Sequence, residues 1–198
     1  MYYAVDNGAK VINMSFGKSF SPHSDWVRNA IAYAAENDVL IVAASGNDGK
    51  NTDLKNYFPN DQINNGTEVS NTFLKVGSNG PKYGSSLVAS YSNYGKSTVD
   101  VFAPGSQIYS TYPKESYEFA SGTSMAAPLV AGVAALIFSQ YPNLSAAQVK
   151  QILITSGIAI NKKMSLGDGT TKPFSELSKS GKIINAYNAL IMASKLSK

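Results

Sequence analysis

The sequence predicts an α/β fold with a mainly parallel sheet, and three observations carry that prediction. Residues 10–44 read as strand, helix and strand in succession, the crossover that two parallel neighbours require. Short strand-like runs recur further along, at 73–77, 88–92 and 99–103. Beyond them lies Met125–Phe138, a stretch apolar on every helical face, and such a helix belongs in a core.

Taken in order, Met1–Gly8 reads as the last turns of a helix with Gly8 as its left-handed C-terminal cap. So short a helix is marginal alone, and the chain is expected to continue upstream of Met1. Lys10–Phe16 is a strand stopped by Gly17, and 19–25 is a polar loop with Pro22 and His23. Trp26, Val27, Ala30, Ile31 and Ala34 follow helical spacing, which predicts a helix over Asp25–Asn37 capped by Ser24 or Asp25. Val39–Ala44 is a second buried strand. Residues 48–70 form a long Asn-, Asp- and Gly-rich loop around the apolar knot Tyr57-Phe58-Pro59, and loops of that length are usually functional or mobile. After the strands at Phe73–Gly77, Val88–Ser92 and Val99–Ala103, the turn Ala103-Pro104-Gly105 leads to a hairpin of Gln107–Tyr112 and Ser116–Phe119. Ser145 and Gln148 make a capping box for a helix to Ser156, ended by Gly157. Gly167–Lys172 is a turn, and Ile183–Leu196 a closing amphipathic helix. No repeat or linker divides residues 1–198.

Hydrophobic residues make up 43% and charged residues 15% of the 198, enough for one domain with a sizeable core. The net charge of +4 comes from scattered lysines, with Arg28 the sole arginine. Nucleic-acid readers cluster their basic residues and rely on arginine, so a nucleic-acid partner is not expected. Without cysteine there is no disulfide and no thiolate metal site. No membrane span is expected, because Met125–Phe138 is short and interrupted by Pro128 and Gly132. The N-terminus does not open on a basic-then-apolar signal pattern.

The chemistry centres on Ser124. Gly122 makes a tight turn into the apolar helix, and Pro128 belongs to about its first turn, where a missing N–H costs little. Ser124 then stands beside free N–H groups at the positive end of the helix dipole, a position that stabilises charge on an oxygen. On these grounds alone Ser124 is either an ordinary cap of a core helix or a nucleophile. The stretch Ser121-Gly122-Thr123-Ser124-Met125-Ala126-Ala127-Pro128, running into Leu129-Val130-Ala131-Gly132, resembles the nucleophile motif of subtilisin-like serine proteases. Two segments upstream match the same family in the same order. Val11-Ile12-Asn13-Met14-Ser15-Phe16-Gly17 resembles the strand beside the substrate backbone, and Val42-Ala43-Ala44-Ser45-Gly46-Asn47-Asp48-Gly49 resembles the segment with the oxyanion-hole asparagine. Singly, each is also just a buried strand ended by a turn. Together they lie past the C-terminal ends of parallel strands, where open α/β sheets bind ligands. The resemblance continues through Leu74–Gly77, Ala89–Gly95, Asp100–Gly105 and Gly181–Ala186, with one departure at Leu129, where several members carry histidine.

The resemblance implies a three-layer α/β/α fold and a serine endopeptidase acting by acyl transfer on a polypeptide substrate. It makes Ser124 the nucleophile, with the Asn47 amide and the Ser124 N–H as oxyanion donors. It makes Ser15, Phe16 and Gly17, with Ala44, Ser45 and Gly46, two walls of the main specificity pocket. Calcium is allowed by the resemblance, without assignable ligands; Asp48, Asp53 and Asp61 are too irregular for an EF-hand loop. A secreted or cell-envelope parent is implied. The family also needs an aspartate in Asp-Ser/Thr-Gly and a histidine in His-Gly-Thr, both ahead of the serine in chain order. Here the one histidine, His23, stands in a Pro-His-Ser loop. The chain is therefore expected to be a partial domain, to partner the N-terminal segment it lacks, and to be inactive alone. The competing readings are a non-catalytic scaffold or binding module of the same fold, and an esterase or amidase with a different base. Two other patterns fail: Gly17-Lys18-Ser19 and Gly95-Lys96-Ser97 lack the first glycine of a phosphate loop, and Met125-Ala126 after Ser124 is not a Gly-x-Ser-x-Gly elbow.

Overall fold

Successive side chains of a strand point to opposite faces of its sheet, and the run from Leu40 to Ala44 uses both. In the computed structural model, which describes residues 1–63 and 66–197, Leu40, Val42 and Ala44 enter one apolar cluster and Ile41 and Ala43 another. Positions 64 and 65 of the expected 48–70 loop lie outside the described residues. A strand buried on both faces needs layers on both sides, and the remaining elements supply them.

In chain order the elements begin with α1 (Tyr2–Asp6), β1 (Val11–Met14), α2 (Ser24–Glu36), β2 (Leu40–Ala44), β3 (Phe73–Asn79) and β4 (Val101–Pro104). There follow β5 (Ile108–Tyr112), β6 (Ser116–Ala120), α3 (Thr123–Gln140), α4 (Ala146–Thr155), β7 (Ile158–Ala159), β8 (Lys163–Ser165), β9 (Thr171–Pro173), β10 (Lys182–Ile183) and α5 (Ala186–Leu196). The main sheet runs β1-β2-β3-β4-β10-β7. Every pair in it is parallel except β10 with β7. Helices α3, α4 and α5 cover one face, while α1 and α2 pack on the other. The fold is thus a three-layer α/β/α arrangement. Phe102 and Phe174, 5.2 Å apart, centre a third cluster that binds the loops near β8 and β9 to the sheet.

Local chemistry explains most element ends. Gly8 has φ +81°, and the bonds Gly8 N–H to Val5 O (2.9 Å) and Ala9 N–H to Ala4 O (3.0 Å) close α1 in a Schellman motif. The capping box of α4 is present, with Gln148 N–H on Ser145 Oγ (3.2 Å) and Ser145 N–H on Gln148 Oε1 (2.8 Å). The β5–β6 hairpin forms as predicted.

Four expectations are corrected. The α2 cap is His23, which makes no side-chain cap bond and instead stacks its ring on Trp26 at 4.6 Å. Val88–Ser92 is no strand: β3 pairs directly with β4, and only an isolated bridge joins Val88 to Asn79. Ile183 belongs to β10 rather than to the last helix, which starts after its Asn185 cap. Finally, α3 is not buried all round. Its sheet-facing side chains are fully covered, but Leu129 and Leu136 are 41% and 42% exposed, on an exposed stripe with Pro128, Gly132 and Ala135. At 18 residues and a mean hydropathy of 1.5 the helix also has the length and composition of a membrane span, although its other faces pack on the sheet and on α4.

A buried charge cluster ties the loop at 57–70 to the sheet. Asp100, 2% exposed, accepts the Lys75 N–H at 2.7 Å and pairs with Lys179 at 3.1 Å, and Lys179 also binds Glu68. Lys150, 5% exposed, lies 3.9 Å from both Glu68 and Asp100. Burial, reinforced by Glu68 and Asp100 and opposed by Lys150 and Lys179, pushes the Asp61 carboxyl up to about 7. Lys75 faces the same group, and burial lowers its ammonium to about 8.

Two predictions follow from this architecture. Folded Asp61 keeps a proton that the unfolded chain releases near 3.8, so it costs stability as pH rises from about 4 to about 7. Asp61→Asn should flatten urea-denaturation stability across that window and gain a few kcal/mol at pH 8 relative to pH 4, from about 1.4 kcal/mol per decade of proton affinity. Secondly, β1 is a sheet edge, and open edges invite pairing between chains. Sedimentation of residues 1–198 should show association that grows with concentration; a monomer that melts cooperatively at high concentration contradicts this.

Candidate active site

β1 and β2 are parallel neighbours, so they end at the same side of the sheet, and α3 begins against those ends. Ser124 is the second residue of α3. Its Oγ donates to Ser15 O at 3.1 Å, and Ser15 Oγ donates back to Ser124 O at 2.7 Å. The second bond has a cause in the sequence. Pro128 stands sixth in the helix, past the predicted first turn, and lacks the N–H that would bond the carbonyl four residues earlier. That carbonyl is Ser124 O, and Ser15 supplies the missing donor. Asn13 Nδ2 holds Ser15 Oγ in turn at 2.9 Å.

Asn47 follows β2 and reaches the same helix. Its Oδ1 accepts from Thr123 N–H at 2.9 Å and from Thr123 Oγ1 at 2.9 Å. A backbone N–H can only donate, so this contact fixes the amide orientation. The carbonyl oxygen caps the helix and the NH₂ points away from it. Gly46 N–H donates to Thr123 Oγ1 at 3.1 Å, and the buried Thr123 side chain thus joins the two segments. The N–H of Ser124, second in the helix, has no helical carbonyl to accept it. A methyl group placed on Gly122 would stand 3.3 Å from Asn47 Nδ2 and 3.6 Å from Ser124 N. Both donors therefore lie beside Gly122, where Met125 Sδ stands at the same 3.6 Å.

The loop carrying Asn47 is held from beneath. Asn93, 1% exposed, accepts Asp48 N–H at 3.1 Å and Lys50 N–H at 3.0 Å on Oδ1, and donates Nδ2 to Ser45 O at 3.0 Å. Ser45 Oγ donates to Asn93 O at 3.1 Å.

Of the residues expected in the site, Ser15, Ser124, Asn47 and Gly46 are joined through these bonds. Ser45 is fully buried with its hydroxyl on Asn93 O, and the Ala44 side chain lies in the core beneath the sheet end. Phe16 is 64% exposed, over a hollow lined by Val27, Phe58 and Pro59. Gly17 and Gly46 both face the ring of Tyr57. Beside Ser124, a groove of about 480 Å³ runs between β5–β6 and the exposed stripe of α3, lined by Ile108, Tyr112, Ala120, Met125, Pro128 and Leu129. His23 is committed to Trp26 and makes no hydrogen bond to Ser124 among the described residues. No group of three or more His, Asp or Glu that would hold a metal ion occurs among the described residues.

Three residues escaped the sequence reading. Thr123 stands inside the motif, whose chemistry points to its neighbour Ser124. Asn93 carries no local signal, because its partners are more than forty positions away. Tyr57 looked like part of an apolar knot. Thr123→Val keeps the shape but leaves the buried Gly46 N–H without an acceptor, which should cost about 1–3 kcal/mol in urea denaturation.

Comparison with known proteins places the geometry in context. Residues 1–181 match the family model described as "Subtilase family". The chain is 36% identical over 167 residues to subtilisin DY of Bacillus licheniformis, covering 84% of this chain and 56% of that protein. It is 44% identical over 140 residues to thermitase of Thermoactinomyces vulgaris, covering 70% of this chain and 43% of that one. Among solved structures, the prenylagaramide maturation protease PagA superposes with a TM-score of 0.75 at 29% identity, over 96% of this chain and 64% of its own.

Proposed function

Because this chain belongs to the subtilase family, we propose that it acts in proteolysis as the serine-bearing part of an endopeptidase domain. The observation that carries the proposal is the meeting of two donors beside Gly122: Asn47 Nδ2, whose amide oxygen is committed to Thr123, and the N–H of Ser124, the residue whose hydroxyl would react. In this reading Ser124 Oγ attacks a peptide carbonyl carbon. The carbonyl electrons move to oxygen, and the Asn47 amide and the Ser124 N–H hold the resulting oxyanion. The C–N bond then breaks, the amine leaves with the proton taken from Ser124, and water later hydrolyses the ester. The backbone of Ser15, Phe16 and Gly17 and that of Ala44, Ser45 and Gly46 flank the polypeptide substrate.

Serine is a weak nucleophile until a base takes its proton. In residues 1–198 the Ser124 hydroxyl instead donates to Ser15 O. We assign the base to a histidine, oriented by an aspartate, on a segment outside these residues, and the groove at Met125 and Leu129 is the surface beside Ser124 for it to occupy. Residues 1–198 alone are then inactive. A role outside the cell or in its envelope fits a relative such as the cell wall-associated protease of Bacillus subtilis, 40% identical over 151 residues.

Fluorophosphonate labelling tests the reading. The natural chain containing these residues should label rapidly and lose labelling in Ser124→Ala. Asn47→Ala should lower kcat by roughly 10²–10³, a magnitude taken over from a subtilisin and not obtained from this chain. Residues 1–198 alone should label slowly, and labelling that disappears in His23→Ala would reinstate His23 as the base. No labelling of the natural chain would favour the non-catalytic scaffold.

A further inference from the structure

We propose that Tyr57 forms a fixed floor between the two pocket walls and limits the substrate residue on the acyl side of the scissile bond to a small side chain. The inference rests on the protease reading above and concerns only which substrates that site accepts. Gly17 and Gly46 are the positions where the walls carry no side chain, and on the sequence alone that bareness leaves room for a substrate side chain. The structure gives the room to Tyr57. A methyl group on Gly46 would overlap Asn93 Nδ2 and stand 2.5 Å from Tyr57 Cζ and 2.6 Å from Cε1, and one on Gly17 would overlap the same Cε1 and stand 2.7 Å from Phe58 O and 3.2 Å from Tyr57 Cζ. One edge of one ring therefore meets both walls, and the gap between them is closed at that depth.

The ring is not a loose lid. Lys75, 2% exposed, donates its Nζ to Tyr57 O at 3.0 Å. The next residue is tied to the first wall by a reciprocal pair, Lys18 N–H to Phe58 O and Phe58 N–H to Lys18 O, each 2.9 Å. Pro59 and Asn60 beyond it are buried. Burial, with Asp48 nearby, raises the phenol above its usual range, so the plug is uncharged at neutral pH. A hydrogen, methyl or hydroxymethyl group fits above such a floor. An aromatic or long aliphatic side chain would have to displace an anchored ring, and forcing extra volume into a packed site costs about 1–3 kcal/mol. A difference of that size corresponds to roughly 10–200-fold in kcat/KM.

The test uses the whole natural chain and succinyl-Ala-Ala-Pro-Xaa p-nitroanilides with Xaa as Ala, Leu or Phe. The wild type should prefer Ala to Phe by about tenfold or more in kcat/KM. Tyr57→Gly should raise the Phe-to-Ala ratio by at least about tenfold, while Tyr57→Phe, which keeps the ring, should retain the wild-type preference. Hydrolysis that is as fast for Phe as for Ala in the wild type overturns the inference, and needs no variant to fold. A folded Tyr57→Gly with an unchanged ratio overturns it too. Both outcomes leave the protease reading standing. No nitroaniline release from any substrate, together with no fluorophosphonate labelling of Ser124, removes the protease reading and this inference with it.

Discussion

The contact on which the site depends is the one between Asn47 Oδ1 and the first residue of α3, made twice, through Thr123 N–H and Thr123 Oγ1. A helix start leaves backbone donors unsatisfied, and here one of them is met by a side chain from the far end of another strand. The same contact decides which way the amide faces. With its oxygen committed to the helix, Asn47 presents only hydrogens to the space beside Ser124. Helix capping and the orientation of the Asn47 amide are thus one bond network. Asn93 completes it by gripping the loop at Ser45, Asp48 and Lys50.

Much of this was legible in the sequence, because it is written locally. The strand–helix–strand unit of residues 10–44, the Gly8 and Ser145 caps and the β5–β6 hairpin each follow from short motifs or spacing, whereas the approach of Ser15 and Asn47 to Ser124 is implied by the resemblance of their segments to subtilases. What stayed hidden depends on distant partners. Val88–Ser92 has strand composition, yet β3 and β4 had already paired and left it no place in the sheet. Pro128 looked like a first-turn residue; it is tolerated deeper in α3 because Ser15, 109 positions away from Ser124, replaces the lost donor. Asn93 and Tyr57 are ordinary residues in irregular segments, and only the folded chain sets them against the site.

The apolar character of α3 also acquires a different meaning. Periodicity alone cannot distinguish a helix covered by its own chain from one covered by another segment, since both are apolar all round. Ala126, Val130, Ala134 and Ile137 are fully buried on the sheet side, whereas Leu129, in the groove beside Ser124, and Leu136, further along the helix, are exposed. The composition of the helix records the whole set of surfaces it suits, and the described chain occupies only part of that set.

The two ends of the main sheet are unequal. At one end β7 contributes two residues, antiparallel to β10, and an edge so short offers almost nothing to a further strand. At the other, β1 presents four residues of backbone along its free side. Strand addition to the main sheet is therefore open at one end. Two copies of residues 1–198 meeting through β1 would be related by a twofold axis and would each use up the longer open edge of the main sheet. Continued growth into a fibre would need a second adhesive surface, such as the outward stripe of α3. The architecture thus favours a closed pair over an open-ended polymer when β1 alone is engaged.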